Sequence, residues 1–234
     1  MIAVVTGTHR FPDPLLARSV AVTLDGGARP VAAHRCEEVL LVNRHGPGER
    51  TPVHLVDHAA NVRAVATQCD AVVAVGSCGS LRADLPPGSI VAVDDVFAPW
   101  VGPTLFDDAR AESLPGFDAE WRAEVVAAWR TSATAPLVDG GTYVQSHGPR
   151  FETKAEVRFF ATVGDVVGMT LASEMIVARE AGLRYAAICA IDNLANGIGD
   201  RELTLAEFEA TARGNRERLW AAVVATLAGL GAVL

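Results

Sequence analysis

SEMIVAREAGLRYAAICAIDN, residues 173–193, changes character in its middle. The first half continues a helical run that begins at Leu171 and ends at Gly182. YAAICAI, residues 185–191, is then an uncharged run of strand length that stops at the polar pair Asp192-Asn193. A helix followed within a few residues by an apolar strand is the repeating unit of α/β proteins.

The same alternation runs outward in both directions. IAVV (2–5), EVLLV (38–42), AVVAVG (71–76), SIVAVDDVF (89–97) and DVVGM (165–169) are further short runs, β-branched or alanine-rich and bounded by turn residues, as buried strands are. Helices are expected over 56–68, 118–130, 153–163 and 205–231, the last with a stripe of Leu219, Trp220, Val223, Val224 and Leu227 that covers a core. Residues 98–117, with three prolines and two glycines, form an irregular surface excursion. The expectation is one α/β domain spanning 1–234: a twisted, mixed, largely parallel central sheet flanked by helices.

Composition narrows the function classes. Half of the 234 residues are hydrophobic, enough for a full core. Against 28 acidic residues stand 20 basic ones, a formal charge of −8 that repels a nucleic acid backbone. An anionic ligand must therefore be held locally, by a few arginines and backbone amides in a pocket. Cys36, Cys69, Cys78 and Cys189 have neither CxxC nor zinc spacing and read as free thiols in a reducing cytoplasm. No apolar run reaches the roughly 20 residues of a membrane span.

In open α/β sheets, ligands gather beyond the carboxyl ends of the strands. Five stretches qualify here. Thr6-Gly7-Thr8 offers hydroxyl and backbone donors to an oxyanion. Asn43-Arg44-His45-Gly46 offers a fork-shaped guanidinium beside an imidazole. Gly76-Ser77-Cys78-Gly79-Ser80 allows close backbone approach. Met169-Thr170 opens a helix whose N-terminus suits an anion, with Thr170 as N-cap. Asp192-Asn193 could meet the edge of a base. In GPRFETKAEV (148–157), Thr153 and Glu156 have capping-box spacing, which accounts for Glu156 and leaves Phe151 and Glu152 free just outside the helix. Taken singly, each stretch also has an ordinary reading as turn, cap or core.

Together they resemble the trimeric class of nucleoside phosphorylases, which includes purine nucleoside and methylthioadenosine phosphorylases. The resemblance runs through NRHGPGERTPVHLVDHAANVRA (43–64), VGSCGSLRADLPPGSIV (75–91), GPRFETKAEVRFFATVGDVVGMT (148–170) and the opening stretch. It implies a phosphate site on Thr8, Arg44, His45, Ser77 and Thr170. It further implies a ribose against Met169, and a purine stacked on Phe151 with its polar edge toward Glu152, Asp192 and Asn193. Arg44, Glu152 and Asn193 would be the catalytic residues, inorganic phosphate the co-substrate, and no metal or other cofactor is needed. The resemblance also implies a homotrimer, possible as a dimer of trimers, whose neighbouring subunit closes the pocket with an aromatic residue, here Phe106.

Donor and acceptor logic separates the branches of that family. A 6-oxopurine carries N1–H, which an ionised Glu152 can accept; adenine presents a bare N1 that a carboxylate repels. Asn193 stands where adenine-preferring members have Asp, and Ala195 replaces their second Asp, so inosine, guanosine or 5′-methylthioinosine types are favoured. Methylthioadenosine phosphorolysis is the alternative, because Asp192, where the family usually has Thr, could tune the site toward an amino group. A hydrolytic nucleosidase and a non-catalytic purine-binding protein are the remaining readings. Glu49 is expected to orient phosphate or a histidine, and the region 198–208, with Leu203 and Leu205, to wall the 5′ substituent.

Overall fold

The sheet grows from β1 (Ile2–Thr6), whose alternate side chains enter different cores. Ala3 and Val5 belong to one cluster and Val4 to the other, as the two-residue period of a strand requires. β4 (Val39–Asn43) and β5 (Ala71–Ser80) flank β1 in parallel, and β11 (Arg184–Leu194) runs parallel on the far side of β5. All are apolar on both faces, and helices cover both: α2 (His58–Ala66) and α5 (Leu171–Glu180) on one, α3 (Ala119–Ser132) and α6 (Leu205–Gly229) on the other. The computed structural model describes residues 1–48, 50–199 and 204–234; Glu49 and Leu203 lie outside the described residues.

The α/β class and the mixed, largely parallel sheet are as expected, and the five expected helices are present. Four begin at a side chain that accepts a backbone N–H: Asp57 before α2, Asp118 before α3, Thr153 before α4 (Lys154–Phe160) and Thr204 before α6. At Thr153 the reciprocal bond from its own N–H to Glu156 completes the capping box.

Elsewhere the elements differ from expectation. Residues 20–36 form an antiparallel hairpin, β2 (Val20–Asp25) and β3 (Pro30–Cys36), on the edge of the sheet beside β4. Its largely exposed β2 has too few buried positions to read as a core strand. The run 89–97 is two strands, β6 (Ile90–Ala92) on β11 and β7 (Asp95–Phe97) on β9 (Thr142–Gln145), because the chain changes neighbours at Val93-Asp94. There Asp94 exchanges hydrogen bonds with Gly141 at 3.1 and 2.8 Å. A short α1 (Asp13–Ala17) and β8 (Val138–Asp139) were not expected either.

The departure that matters most is β5. The expected turn at Gly76–Ser80 is a continuation of the strand, paired with β11 to its end. β1 accompanies β5 only to Ala74, and β10 (Val166–Gly168) joins it antiparallel only at Gly79. Between those partners β5 has a free edge at residues 75–78, and the sheet opens there.

Candidate active site

The opening in the sheet leads into a cavity of about 390 Å³, within the range of small-molecule sites. Nine of the ten expected site residues line it: Thr8, Arg44, His45, Ser77, Phe151, Glu152, Met169, Thr170 and Asn193. The tenth, Asp192, does not. Leu205, expected near the 5′ end, is on the lining as well.

Arg44 follows β4 and is buried to 3 % exposure. Its Nε and Nη2 donate to the two carboxylate oxygens of Glu174 on α5 at 2.8 and 3.1 Å. Nη2 also donates to the Val5 carbonyl and Nη1 to that of Val75, both at 3.0 Å. Four of the five guanidinium N–H bonds are thus spent on the protein, and one on Nη1 is left for the cavity. Burial opposes the charge, yet the attraction and hydrogen bonds of Glu174 prevail and hold Arg44 above its ordinary pKa. Tyr185 fixes Glu174 in turn, donating to it at 2.8 Å. The sequence reading assigned no role to Glu174, because a carboxylate inside an amphipathic helix usually faces water.

Gly7 lets these groups come so close. A Cβ there would lie 2.8 Å from Arg44 Nη1 and 3.1 Å from His45 Nε2. His45 Nδ1 sits 2.7 Å from the Thr51 carbonyl, which can only accept, so the proton is on Nδ1. Burial and the nearby charges of Arg50 and Arg44 bring the imidazole down to about 4 despite the Thr51 bond. At neutral pH it is uncharged and turns a lone pair on Nε2 toward the cavity. Arg50, also on the lining, was missed in the sequence; partial desolvation and its neighbours Arg10 and Arg44 lower its pKa. An anion between these cations would relieve their repulsion.

The helix N-terminus behaves otherwise than expected. The Tyr143 hydroxyl accepts from the N–H groups of Thr170 and Leu171 at 3.1 and 3.3 Å, and Gln145 accepts from that of Ser173 at 3.0 Å. Those amides are occupied. Thr170 is the N-cap by position, but its side chain makes no capping bond. What α5 contributes at this point is therefore the Thr170 hydroxyl and not an amide cradle. Cys78, on the lining, is pushed well above its ordinary pKa by burial and by its hydrogen bond with Cys189, which keeps it a neutral thiol.

At the other end of the cavity, Phe151 is 38 % exposed and meets Phe208 of α6 edge-on, centroids 5.6 Å apart. Glu152 beside it is buried, and its Oε1 has no hydrogen-bond partner among the described residues. A buried carboxylate oxygen without a donor is costly unless a ligand supplies one. Asn193 donates one Nδ2–H to the Leu194 carbonyl at 2.8 Å, leaving its second N–H and its Oδ1 to the cavity. Met169 is held between these halves, its Sδ only 2.8 Å from where a Cβ on Gly148 would stand.

Asp192 corrects the expectation that it meets a base. The pairing of β11 with β5 slips between Ile191 and Asn193, and Asp192 is the extra residue of that bulge. Its carboxylate is 1 % exposed and bonded to Ser77 and Asn215. Phe106, expected to close the pocket of a neighbouring copy, does not line the cavity of its own chain; its ring lies 4.2 Å beneath the Arg110 guanidinium. The four cysteines are buried and unbridged. Among the described residues no helix is long and apolar enough to cross a membrane, and no group of three or more His, Cys, Asp or Glu could hold a metal ion.

Comparison with known proteins bears on this cavity. The model of the phosphorylase superfamily matches residues 2–228. A protein of Archaeoglobus fulgidus named "Probable 6-oxopurine nucleoside phosphorylase" is 33% identical, over 92% of this chain and 90% of its own. One of Methanopyrus kandleri named "Probable S-methyl-5'-thioinosine phosphorylase" is 34% identical, over 88% and 83%. Among solved structures, methylthioadenosine phosphorylase from Schistosoma mansoni with adenine superposes with a TM-score of 0.84 at 24% identity, covering 98% of this chain and 91% of that one. That last likeness is one of fold.

Proposed function

The chain belongs to the phosphorylase superfamily, and from that premise we propose that it is a pentosyltransferase cleaving purine nucleosides with phosphate, with 6-oxopurines preferred. The observation that carries the base preference is the unpartnered Oε1 of buried Glu152. Hypoxanthine and guanine bring N1–H to such an acceptor; adenine brings a second acceptor and leaves both groups unsatisfied, at about 1–3 kcal/mol. The names of the relatives point to the same purines.

Phosphate takes the end of the cavity lined by Thr8, Arg44, His45, Ser77 and Thr170. The remaining N–H of Arg44 and the hydroxyl of Thr170 donate to it, and the lone pair of neutral His45 accepts from the P–OH of hydrogen phosphate. This orients one face of the nucleophile toward the anomeric carbon beside Met169, and the gain is positional. As the glycosidic bond breaks, the electron pair moves into the purine. The free N–H of Asn193 stabilises that charge at N7, while Glu152 holds N1–H and Phe151 covers the ring, an electrostatic contribution made mainly in the transition state. Inorganic phosphate is the co-substrate, and no step requires a metal or an enzyme nucleophile.

The same proposal includes a cytoplasmic homotrimer in which Phe106 of a neighbouring copy closes the cavity. The exposed Phe151 supports it, as does the position of Phe106 away from its own site. Light scattering after gel filtration should give three chains or a multiple of three. Leu205 and Phe208 form an apolar wall suited to a 5′-methylthio group.

One assay tests the reading. Inosine, guanosine, 5′-methylthioinosine and 5′-methylthioadenosine are incubated with and without phosphate, and free base is followed. Release of 6-oxopurines only with phosphate is expected. Release without phosphate would make the enzyme a nucleosidase, and release from the adenosine analogue alone would reverse the base preference.

A further inference from the structure

The bulge on β11 buries a polar chain that the reaction above leaves unused. Ser77 of β5 lines the phosphate end of the cavity, and its hydroxyl donates to Asp192 Oδ2 at 2.5 Å. Asn215 of α6 donates to the other oxygen, Oδ1, at 3.0 Å. His9, in the loop after β1 and 1 % exposed, brings its Nε2 to 2.8 Å from Oδ2, though not along a hydrogen-bond direction. The Cys78 thiol of β5, kept neutral chiefly by burial, also faces the carboxylate. Among the described residues no lysine or arginine pairs with Asp192.

This arrangement conflicts with an anion in the cavity. While Asp192 is ionised it takes the only proton of Ser77, and the hydroxyl turns a lone pair toward the oxyanion it lines. Two acceptors would then face each other in a buried site, with a second negative charge just behind them. A single proton resolves this. With a proton on Oδ2, Asp192 donates to Ser77 Oγ, and Ser77 is released to donate to the anion.

We propose that Asp192, backed by His9, is a positioning residue that sets the direction of the Ser77 hydroxyl, and that an oxyanion enters this end of the cavity together with one proton from solvent. The proton sits on Asp192 Oδ2, in the hydrogen bond to Ser77 Oγ, and no other bond is made or broken. The inference rests on the phosphate reading of this cavity.

The test uses inorganic sulfate, a fully ionised dianion at neutral pH, so any proton exchanged belongs to the protein. Calorimetric titration at pH 7.5 in buffers of different ionisation enthalpy counts the protons taken up. Wild type should take up about one proton more than Asp192→Asn. In that variant the amide oxygen can accept from Asn215 while its N–H donates to Ser77, so the released arrangement is permanent. Asp192→Asn should therefore bind sulfate at least as tightly as wild type, and its affinity should stay level as pH rises from 6 to 8 while that of wild type falls. In a Ser77→Ala background the Asp192→Asn substitution should no longer change the affinity. Equal proton uptake in wild type and Asp192→Asn would overturn the proposal, as would sulfate binding by Asp192→Asn clearly weaker than by wild type. Should neither sulfate nor phosphate bind wild type, the phosphate reading itself falls and this inference with it.

Discussion

The two ends of the cavity are built differently. At the phosphate end the side chains are anchored before any ligand arrives: Arg44 has four protein acceptors, and Glu174 is held by Arg44 and Tyr185. At the base end Phe151 is substantially exposed and Glu152 Oε1 has no partner among the described residues. The first end stands on the strands and on α5; the second stands on the loop before α4, the start of α6 and the last residues of β11. Preorganisation is concentrated where a small, strongly hydrated anion must be stripped of water, and the purine end obtains its order from the ligand.

Removing Glu174 should break this contrast most severely. Glu174→Ala leaves the Arg44 guanidinium buried without its carboxylate, a loss of about 3–5 kcal/mol. Urea denaturation should register it as a lower midpoint with little change in slope. Asn193→Ala comes next and should leave stability alone. Loss of a donor to the leaving group should lower kcat by about 10²–10³ with a small change in KM for phosphate. An equal fall in kcat and rise in phosphate KM would instead tie Asn193 to the anchored end.

Acid should act on the two ends unequally. His45 on the lining and His58 of α2 are both depressed to about 4, chiefly by burial. In the unfolded chain they titrate near the ordinary value of about 6.5, so below that pH the unfolded state binds more protons than the folded one. Their contribution is fully present above pH ~6.5 and is lost as pH falls toward 4, on the order of 2 kcal/mol for each. Thermal melts between pH 7 and 4 should show the decline, and His58→Gln should reduce it by about half.

At the base end a smaller effect is expected. Glu152→Gln can offer an N–H where N1–H needs an acceptor, so turnover of inosine should fall by about tenfold relative to 5′-methylthioadenosine. Competition between the two substrates measures this ratio directly. An unchanged ratio would mean that Glu152 does not read the base.

How far the sequence could be read follows the same division. The strands β1, β4, β10 and β11 and the five expected helices were legible because burial on both faces leaves a continuous apolar run and burial along a stripe leaves a helical period. The capping box at Thr153 was legible because it is local. The hairpin β2–β3 was not, since its exposed edge strand lacks a core pattern. Nor was the length of β5: Gly76-Ser77-Cys78-Gly79-Ser80 has the composition of a turn, and only pairing with β11 and β10 makes it strand. Nine of the residues expected from the family resemblance meet on one cavity, while Arg50, Phe208 and the part played by Glu174 required the tertiary contacts that give them meaning. The true direction of Asp192 depended on a one-residue bulge, which leaves no mark in composition.

The smallest expected effect concerns the element that carries the base end. Thr153 begins α4 through a capping box, and Glu156 is further fixed by two 2.8 Å hydrogen bonds from Arg150. Phe151 and Glu152 lie between these two anchors. Thr153→Ala should cost about 1 kcal/mol of stability, the ordinary value of an N-cap. If the base end takes its order from this local frame, the same change should raise KM for the nucleoside severalfold while KM for phosphate stays put, because no phosphate-end anchor passes through α4. Thr153→Ser, which keeps the cap, should restore both. A parallel rise in the two Michaelis constants would mean that the ends of the cavity are mechanically one.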